Sequence, residues 1–384
     1  EGLIMASTYK TFSSNDIVST KTLLHEAIPL TGTVVSGTYQ EGTAGSATET
    51  NIKNYTHGMF QSVYDYPYLS SSANHVFDLT VGFSANSALS ASTPVTQQAK
   101  KINIYNQMAQ VLVGHDATGA IREFDEDGDL TGGTKMREVF FINVARLLTK
   151  DEIKKGSFSL QLGVSGAHAT PHNGHKIKLA DTGAATDYRV NSPAGEYGIL
   201  YATDVEGSNL VTSDGSQKAG LIFYQAGVIV VTGSVFHNDT GQSAGLLQSA
   251  TVTADCKMLA DPVDSRFSDD VGATGILQDR SIAVNCNAIR HRMVDMSFNN
   301  TTELNSTIYF CRANHNEFNY SSNPTYTSSS KLVVKNVSSD SPVSYITTVG
   351  LYSSDNELLA VAKLSEPLKK DPTNELTLRV RLDY

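Results

Sequence analysis

The stretch from Leu332 to Tyr384 constrains this chain most, because four apolar runs of strand length recur in it, separated by turn-rich joins. They read LVVKNV, SYITTVGLY, ELLAVAKL and ELTLRVRLDY. In the last, Leu376, Leu378, Val380 and Leu382 alternate with Thr377, Arg379, Arg381 and Asp383, as a half-buried strand requires. The two middle runs are apolar on both faces apart from Lys363, which predicts the covered centre of a sheet. Ser353, Ser354, Asp355 and Asn356 join them as a hairpin loop, with Asp and Asn suited to the turn backbone. Pro342 and Pro367 are expected between strands, where a missing N–H costs no ladder bond. This is the pattern of an assembled structural module, and nothing in it looks like chemistry.

At 384 residues the chain has room for two or three cores. Charged residues make up only 18%, below the roughly 25% of an ordinary soluble domain. There is no Trp but there are 17 Tyr, and hydroxyl residues are plentiful, a composition suited to β-rich proteins with large contact surfaces. A net charge of −10 without a Lys/Arg cluster argues against nucleic-acid or anionic-membrane binding. Cys256, Cys286 and Cys311 are too sparse and too widely spaced for a disulfide framework or a zinc site, so they are expected reduced in a core, with folding in a cytoplasm. No apolar run reaches the length of a membrane span. The amino end, EGLIMASTYK, lacks the pattern of a signal peptide, and Met5 is expected to be the initiator. The Asn-X-Ser/Thr triplets, at Asn54 and Asn300 among others, read as chance in an Asn/Ser/Thr-rich chain.

Along the chain, Asn15 to Ile28 is expected to form a short helix stopped by Pro29, and Tyr64, Tyr66 and Tyr68 an exposed extended strip. HVFDLTVGF, from His75 to Phe83, has strand periodicity. One long amphipathic helix is predicted over 94–113. Thr93 caps it, Pro94 opens it and Gly114 stops it, with Val95, Ala99, Ile102, Tyr105, Met108, Ala109 and Leu112 as its apolar stripe. Glu138 to Val144 reads as a buried strand, and Thr149 with Glu152 as the capping box of a short helix closed by Gly156. Ser157 to Val164, Tyr197 to Thr203, Gly220 to Tyr224 and Gly227 to Thr232 read as strands, and Ala167 to Ser192 as loop. The expected fold is mainly β with minor α: multi-module antiparallel β, sandwich-like, with one long helix. The expected modules are an N-terminal α+β region over 1–156, a central β module over 157–236, a polar linker over 237–280 and a C-terminal antiparallel module over 281–384.

Few groups invite chemistry. Asp125, Asp127 and Asp129 in EFDEDGDLTGGTK suggest a calcium loop, but counting from Glu123 to place Gly128 sixth leaves Glu at the first position and Thr134 at the twelfth. The preferred reading is an acidic, Gly-rich turn. His168, His172 and His175 have helical spacing, yet Pro171 and Gly174 argue against a helix, so they read as solvated loop residues. Arg290, His291, Arg292 and Arg312 beside aromatics are assigned to pairing with acids on a solvated face. P-loop and GxGxxG signatures are absent. No catalytic, cofactor-binding or metal-binding residue is assigned, and the expectation is a non-enzyme.

The segments FNNTTELNSTIYFCRANHNEFNYSSNPTYT from Phe298 and YITTVGLYSSDNELLAVAKLSEPLKKDPTNELTLRVRLDY from Tyr345 resemble virion structural proteins of tailed bacteriophages, of the contractile-tailed marine cyanophage type. GLIFYQAGVIVVTGSVF from Gly220 and the stretch from Asn51 to Phe83 fit the same resemblance, which covers most of the chain from Met5. It implies a particle component of the tail or baseplate, whose partners are other virion proteins and copies of itself, located in the virion after folding in the host cytoplasm. It brings no catalytic residues. The alternatives are a capsid decoration protein, or an adhesin of the particle that binds a host surface glycan or receptor.

Overall fold

The structure, a computed structural model, describes residues 9–31, 50–91, 96–163, 176–204, 218–235, 277, 281–319, 327–328, 331–332 and 342–384. In chain order the strands begin with β1 (Ile17–Thr31), β2 (Ile52–Asn54), β3 (Gln61–Tyr64) and β4 (His75–Phe83). Helix α1 (Thr96–Leu112) precedes β5 (Phe124–Asp125), β6 (Lys135–Met136) and β7 (Glu138–Val144). A single helical turn, α2 (Arg146–Thr149), leads to β8 (Glu152–Ile153), β9 (Ser159–Gly163), β10 (Lys176–Ala180), β11 (Tyr188–Arg189) and β12 (Tyr197–Asp204). Then come β13 (Lys218–Phe223), β14 (Val228–Thr232), α3 (Ile282–Arg292) and β15 (Met293–Ala313). The last strands are β16 (Thr327–Ser328), β17 (Lys331–Leu332), β18 (Ser344–Tyr352), β19 (Leu358–Lys370) and β20 (Leu376–Asp383). The protein is mainly β with a minor helical part, and its sheet is antiparallel.

Contacts divide the chain into two compact units, one of His25–Thr302 and one of Glu1–Leu24 with Glu303–Tyr384. In the larger unit the order runs from the first part of β15 through β9, β10, β12, β13, β14, β7, β4 and β3 to β2. This sheet takes strands from three of the stretches outlined above: β7 lies beside β14, and β9 beside β15. Its centre is dry. Ile229 faces Ile142 and Val231 faces Phe140 across β14 and β7, and all four are buried. GLIFY and GVIVV are thus covered on both faces, as continuous apolar strands require.

Helices α1 and α3 both pack on β4. The approach of α1 depends on Gly82, because a Cβ there would lie 2.8 Å from the Tyr105 amide nitrogen and 2.9 Å from the Lys101 carbonyl oxygen. The buried face of α1 is wider than the expected stripe. Gln98, Lys101, Ile104, Tyr105, Ala109 and Leu112 face inward, whereas Ala99 is exposed and Ile102 and Met108 are half-buried. Polar residues can hold that face because their heads find acceptors. Lys101 Nζ donates to the Leu277 carbonyl, and the Tyr105 hydroxyl donates to the Met136 carbonyl at 2.9 Å. The expected cap residues Thr93 and Pro94 lie outside the described residues, as does the 237–280 stretch apart from Leu277.

Several local expectations are corrected. Asn15 to Ile28 is not an α-helix: after a 3-10 turn over Ser14–Asp16, Ile17–Thr31 is strand β1, with Pro29 inside it. Pairing with β15 overrides the local pattern, and Pro29 is tolerated because β1 lies at the end of the strand order. In place of a helix closed by Gly156, α2 ends at Thr149 with Lys150 as its C-cap, and Glu152–Ile153 is strand β8. The fully buried Ile153 decides this, its amide donating to the Tyr224 carbonyl at 3.0 Å. The expected loop from Ala167 to Ser192 contains β10, whose Ile177 and Leu179 are buried between half-exposed Lys176 and Lys178. After Ser281 the chain forms α3 before its β structure resumes.

In the smaller unit the second part of β15 pairs with β20 from Ser306 opposite Asp383 to Ala313 opposite Leu376. The expected alternation of β20 holds: Val380 is buried, Leu376, Leu378 and Leu382 are half-buried, and the residues between them are exposed. The first residues of β1 join through Ser19 and Thr307, whose hydroxyls lie 3.2 Å apart, and Arg312 pairs with Asp16 at 2.7 Å. Strands β18 and β19 form a separate two-stranded sheet.

Candidate functional site

The β18–β19 hairpin departs most from expectation. Its apolar runs were expected at the covered centre of a sheet, yet they pair only with each other among the described residues. Tyr345 is 56% exposed, Leu358 52%, Leu359 68% and Val361 51%. From Tyr345 to Leu364 the charged side chains are Asp355, Glu357 and Lys363, and two of these lie at or beside the tip. The sequence builds the hairpin as anticipated at its turn: the Asn356 amide donates to the Ser353 carbonyl at 3.1 Å, and Asn356 takes φ +64°, a conformation Asn tolerates. Pro367 lies within β19 instead of between strands. The register jumps there, Ile346 pairing with Leu368 but Thr348 with Lys363, so Pro367 sits in a bulge that needs no donor from it.

The base of the hairpin is fixed. Lys370 is fully buried, and its ammonium donates to the His315 carbonyl at 3.2 Å, Asn319 Oδ1 at 2.7 Å and the Asp371 carbonyl at 2.9 Å. Three donors thereby meet three acceptors. The hydroxyl and amide of Thr373, followed by Lys369, bring the half-buried Asp371 carboxyl down to about 2. Beside this base lies a groove of about 720 Å³, lined by Tyr9, Phe12, Phe310, Phe318, Tyr345 and Leu351 among others. Tyr9 and Tyr352 pack with ring centroids 4.8 Å apart. A firmly based apolar hairpin beside an aromatic groove can bind another polypeptide by strand addition and side-chain burial.

The acidic turn is the second place where the structure gathers predicted candidates. Asp125, Asp127 and Asp129 each bring a carboxylate oxygen within 4.8 Å of the other two. The turn is held by its neighbours: the Tyr197 hydroxyl donates to the Gly128 carbonyl at 2.8 Å, Asn191 Nδ2 to the same oxygen at 3.2 Å, and Arg189 to the Asp127 carbonyl at 3.1 Å. Burial pushes the Asp125 carboxyl above the usual range, against the opposing pull of Lys135, while the Thr131 amide holds Asp129 below it.

The remaining candidates do not converge. His168, His172, His175 and Cys256 lie outside the described residues. Cys286 and Cys311 are free, the first buried and the second half-buried. Burial raises the Cys286 thiol to about 12, so it is inert at neutral pH. Arg290, read as a solvated basic residue, is instead buried, its Nε donating to Gln61 Oε1 at 3.2 Å. Tyr66 and Tyr68 are exposed as expected, whereas Tyr64 is half-buried in β3. Among the described residues no helix is long and apolar enough to cross a membrane.

Comparison with known protein families, with curated proteins and with solved structures finds no match for this chain. The apolar character of the hairpin was legible in the sequence; its exposure was not, because a run that nothing covers has the same composition as one at a sheet centre.

Proposed function

We propose that this protein is a structural component of a tailed-phage virion, placed in the tail or baseplate, which acts through protein–protein interfaces and not through catalysis. The observation that carries this reading is the exposed apolar hairpin β18–β19 on its buried Lys370 base. Large side chains held out in a paired, strand-long array are a liability for an isolated chain and an asset for one that is covered on assembly. The resemblance of the segments from Phe298 and Tyr345 to phage virion proteins supports the same reading and supplies the particle. Copies of the chain and neighbouring virion proteins are the partners that would cover the hairpin.

The test is immunogold labelling of phage particles with antibody against residues 303–384. Label at the distal tail is the expected result. Label over the head moves the protein to capsid decoration, and no label on intact or permeabilised particles overturns the virion reading.

A further inference from the structure

We propose that the turn between β5 and β6 is a binding site for one divalent cation of the hard, oxygen-preferring kind, Ca²⁺ foremost, with Asp125, Asp127 and Asp129 as its carboxylate ligands. Convergence of three acids within 4.8 Å would not by itself make a site. The independent observation is the state of Asp125. Its side chain is wholly buried, its Oδ2 takes the Lys135 ammonium, and its Oδ1 has no hydrogen-bond partner. A buried carboxylate oxygen left bare is costly, and a cation is the partner that removes the cost.

That oxygen looks into shared space. The point where a Cβ of Gly133 would stand is 3.5 Å from Asp125 Oδ1 and 3.5 Å from Asp127 Oδ2. Residue 133 is glycine, at φ +64°, so this space stays open between the two carboxylates. Lys135 brings one positive charge to three negative ones, and a divalent ion balances the remainder. An all-oxygen donor set selects Ca²⁺, Mg²⁺ or Mn²⁺ over softer metals.

Counting from Asp125 places Asp127 third and Asp129 fifth, on alternate ligand positions; the sixth residue, Leu130, has φ +64°, as Gly128, sixth in the count from Glu123, has φ +71°. Met136 is then twelfth and gives no bidentate carboxylate, so backbone carbonyls and water must complete the shell. Because Tyr197, Asn191 and Arg189 grip the same turn, the ion would brace the larger unit.

The experiment uses the full chain freed of metal with EDTA and titrated with CaCl₂, MgCl₂ or MnCl₂ by calorimetry, with thermal unfolding in parallel. The expected result is saturable binding of one ion per chain and a rise in Tm of several degrees, strongest for Ca²⁺. The variant Asp127→Asn/Asp129→Asn should lose both, while in EDTA its Tm equals or exceeds that of the unaltered chain, because repulsion between the acids is relieved. Gly133→Val, which fills the space, should weaken binding at least tenfold. No saturable binding of any of the three ions at millimolar concentration, or equal binding by the double variant, overturns the proposal. Neither outcome bears on the virion reading, which stands on the hairpin.

Discussion

Strands β13 and β14 of the larger unit and strands β18 and β19 of the smaller one are both antiparallel pairs built from apolar runs, GLIFY with GVIVV and SYITTVGLY with LLAVAKL. Their surroundings are opposite. Leu221, Ile222, Ile229 and Val230 are fully buried, whereas Leu359 and Val361 are mostly exposed. An apolar run therefore does not by itself record whether the chain's own fold covers it. In the first pair the cover is β7, β12 and the core of the same unit; in the second it is assigned here to other copies or neighbours.

The sharpest way to break this comparison is to place the same kind of charge in each pair. Ile229→Asp buries an unpaired carboxylate in the sheet centre and should cost at least about 4 kcal/mol, abolishing the cooperative unfolding transition of the larger unit in calorimetry. Gly82→Ala should cost about 1–3 kcal/mol in urea unfolding, since its Cβ meets the backbone of α1 and not a movable side chain. Lys370→Met leaves the acceptors of His315, Asn319 and Asp371 without their donor and should lower the stability of the smaller unit by about 1–3 kcal/mol. Leu359→Ser/Val361→Ser, by contrast, should leave the unfolding midpoint within about 0.5 kcal/mol of the original while abolishing incorporation into particles. A large loss of stability from that pair would mean that the hairpin is covered within its own chain.

The smallest effect sits at the hairpin base. The Asp371 carboxyl has a folded pKa of about 2 against an ordinary 3.8, so its stabilising contribution is complete above about pH 4 and is lost as pH falls through 2. A carboxyl-carbon NMR titration should show the low midpoint, and Thr373→Val should move it back toward 3.8.

Much of the fold was legible wherever burial and periodicity agree. HVFDLTVGF coincides with β4, EVFFINV with β7, and the alternation of β20 survives residue by residue. The failures share a cause in long-range contact. Asn15 to Ile28 has a helix-like start and a Pro stop, but β15 makes it a strand; KIKLA has only two large apolar residues, Ile177 and Leu179, to announce it. The inward face of α1 is wider than its apolar stripe, because Lys101 and Gln98 are core residues as well, which no hydrophobic count would assign. At the acidic turn the sequence showed three acids on alternate positions, but not that the fold gathers their carboxylate oxygens within 4.8 Å of one another, which depends on the turn's backbone and its neighbours.

Hydrogen–deuterium exchange over 344–370, in the free chain and in intact particles, tests the central claim most directly. The account predicts fast exchange at the outer-edge amides of β18 and β19 in the free chain and strong protection of the same amides in the particle. Equal exchange in both states would contradict it, because the hairpin would then be an exposed apolar arm that assembly never covers.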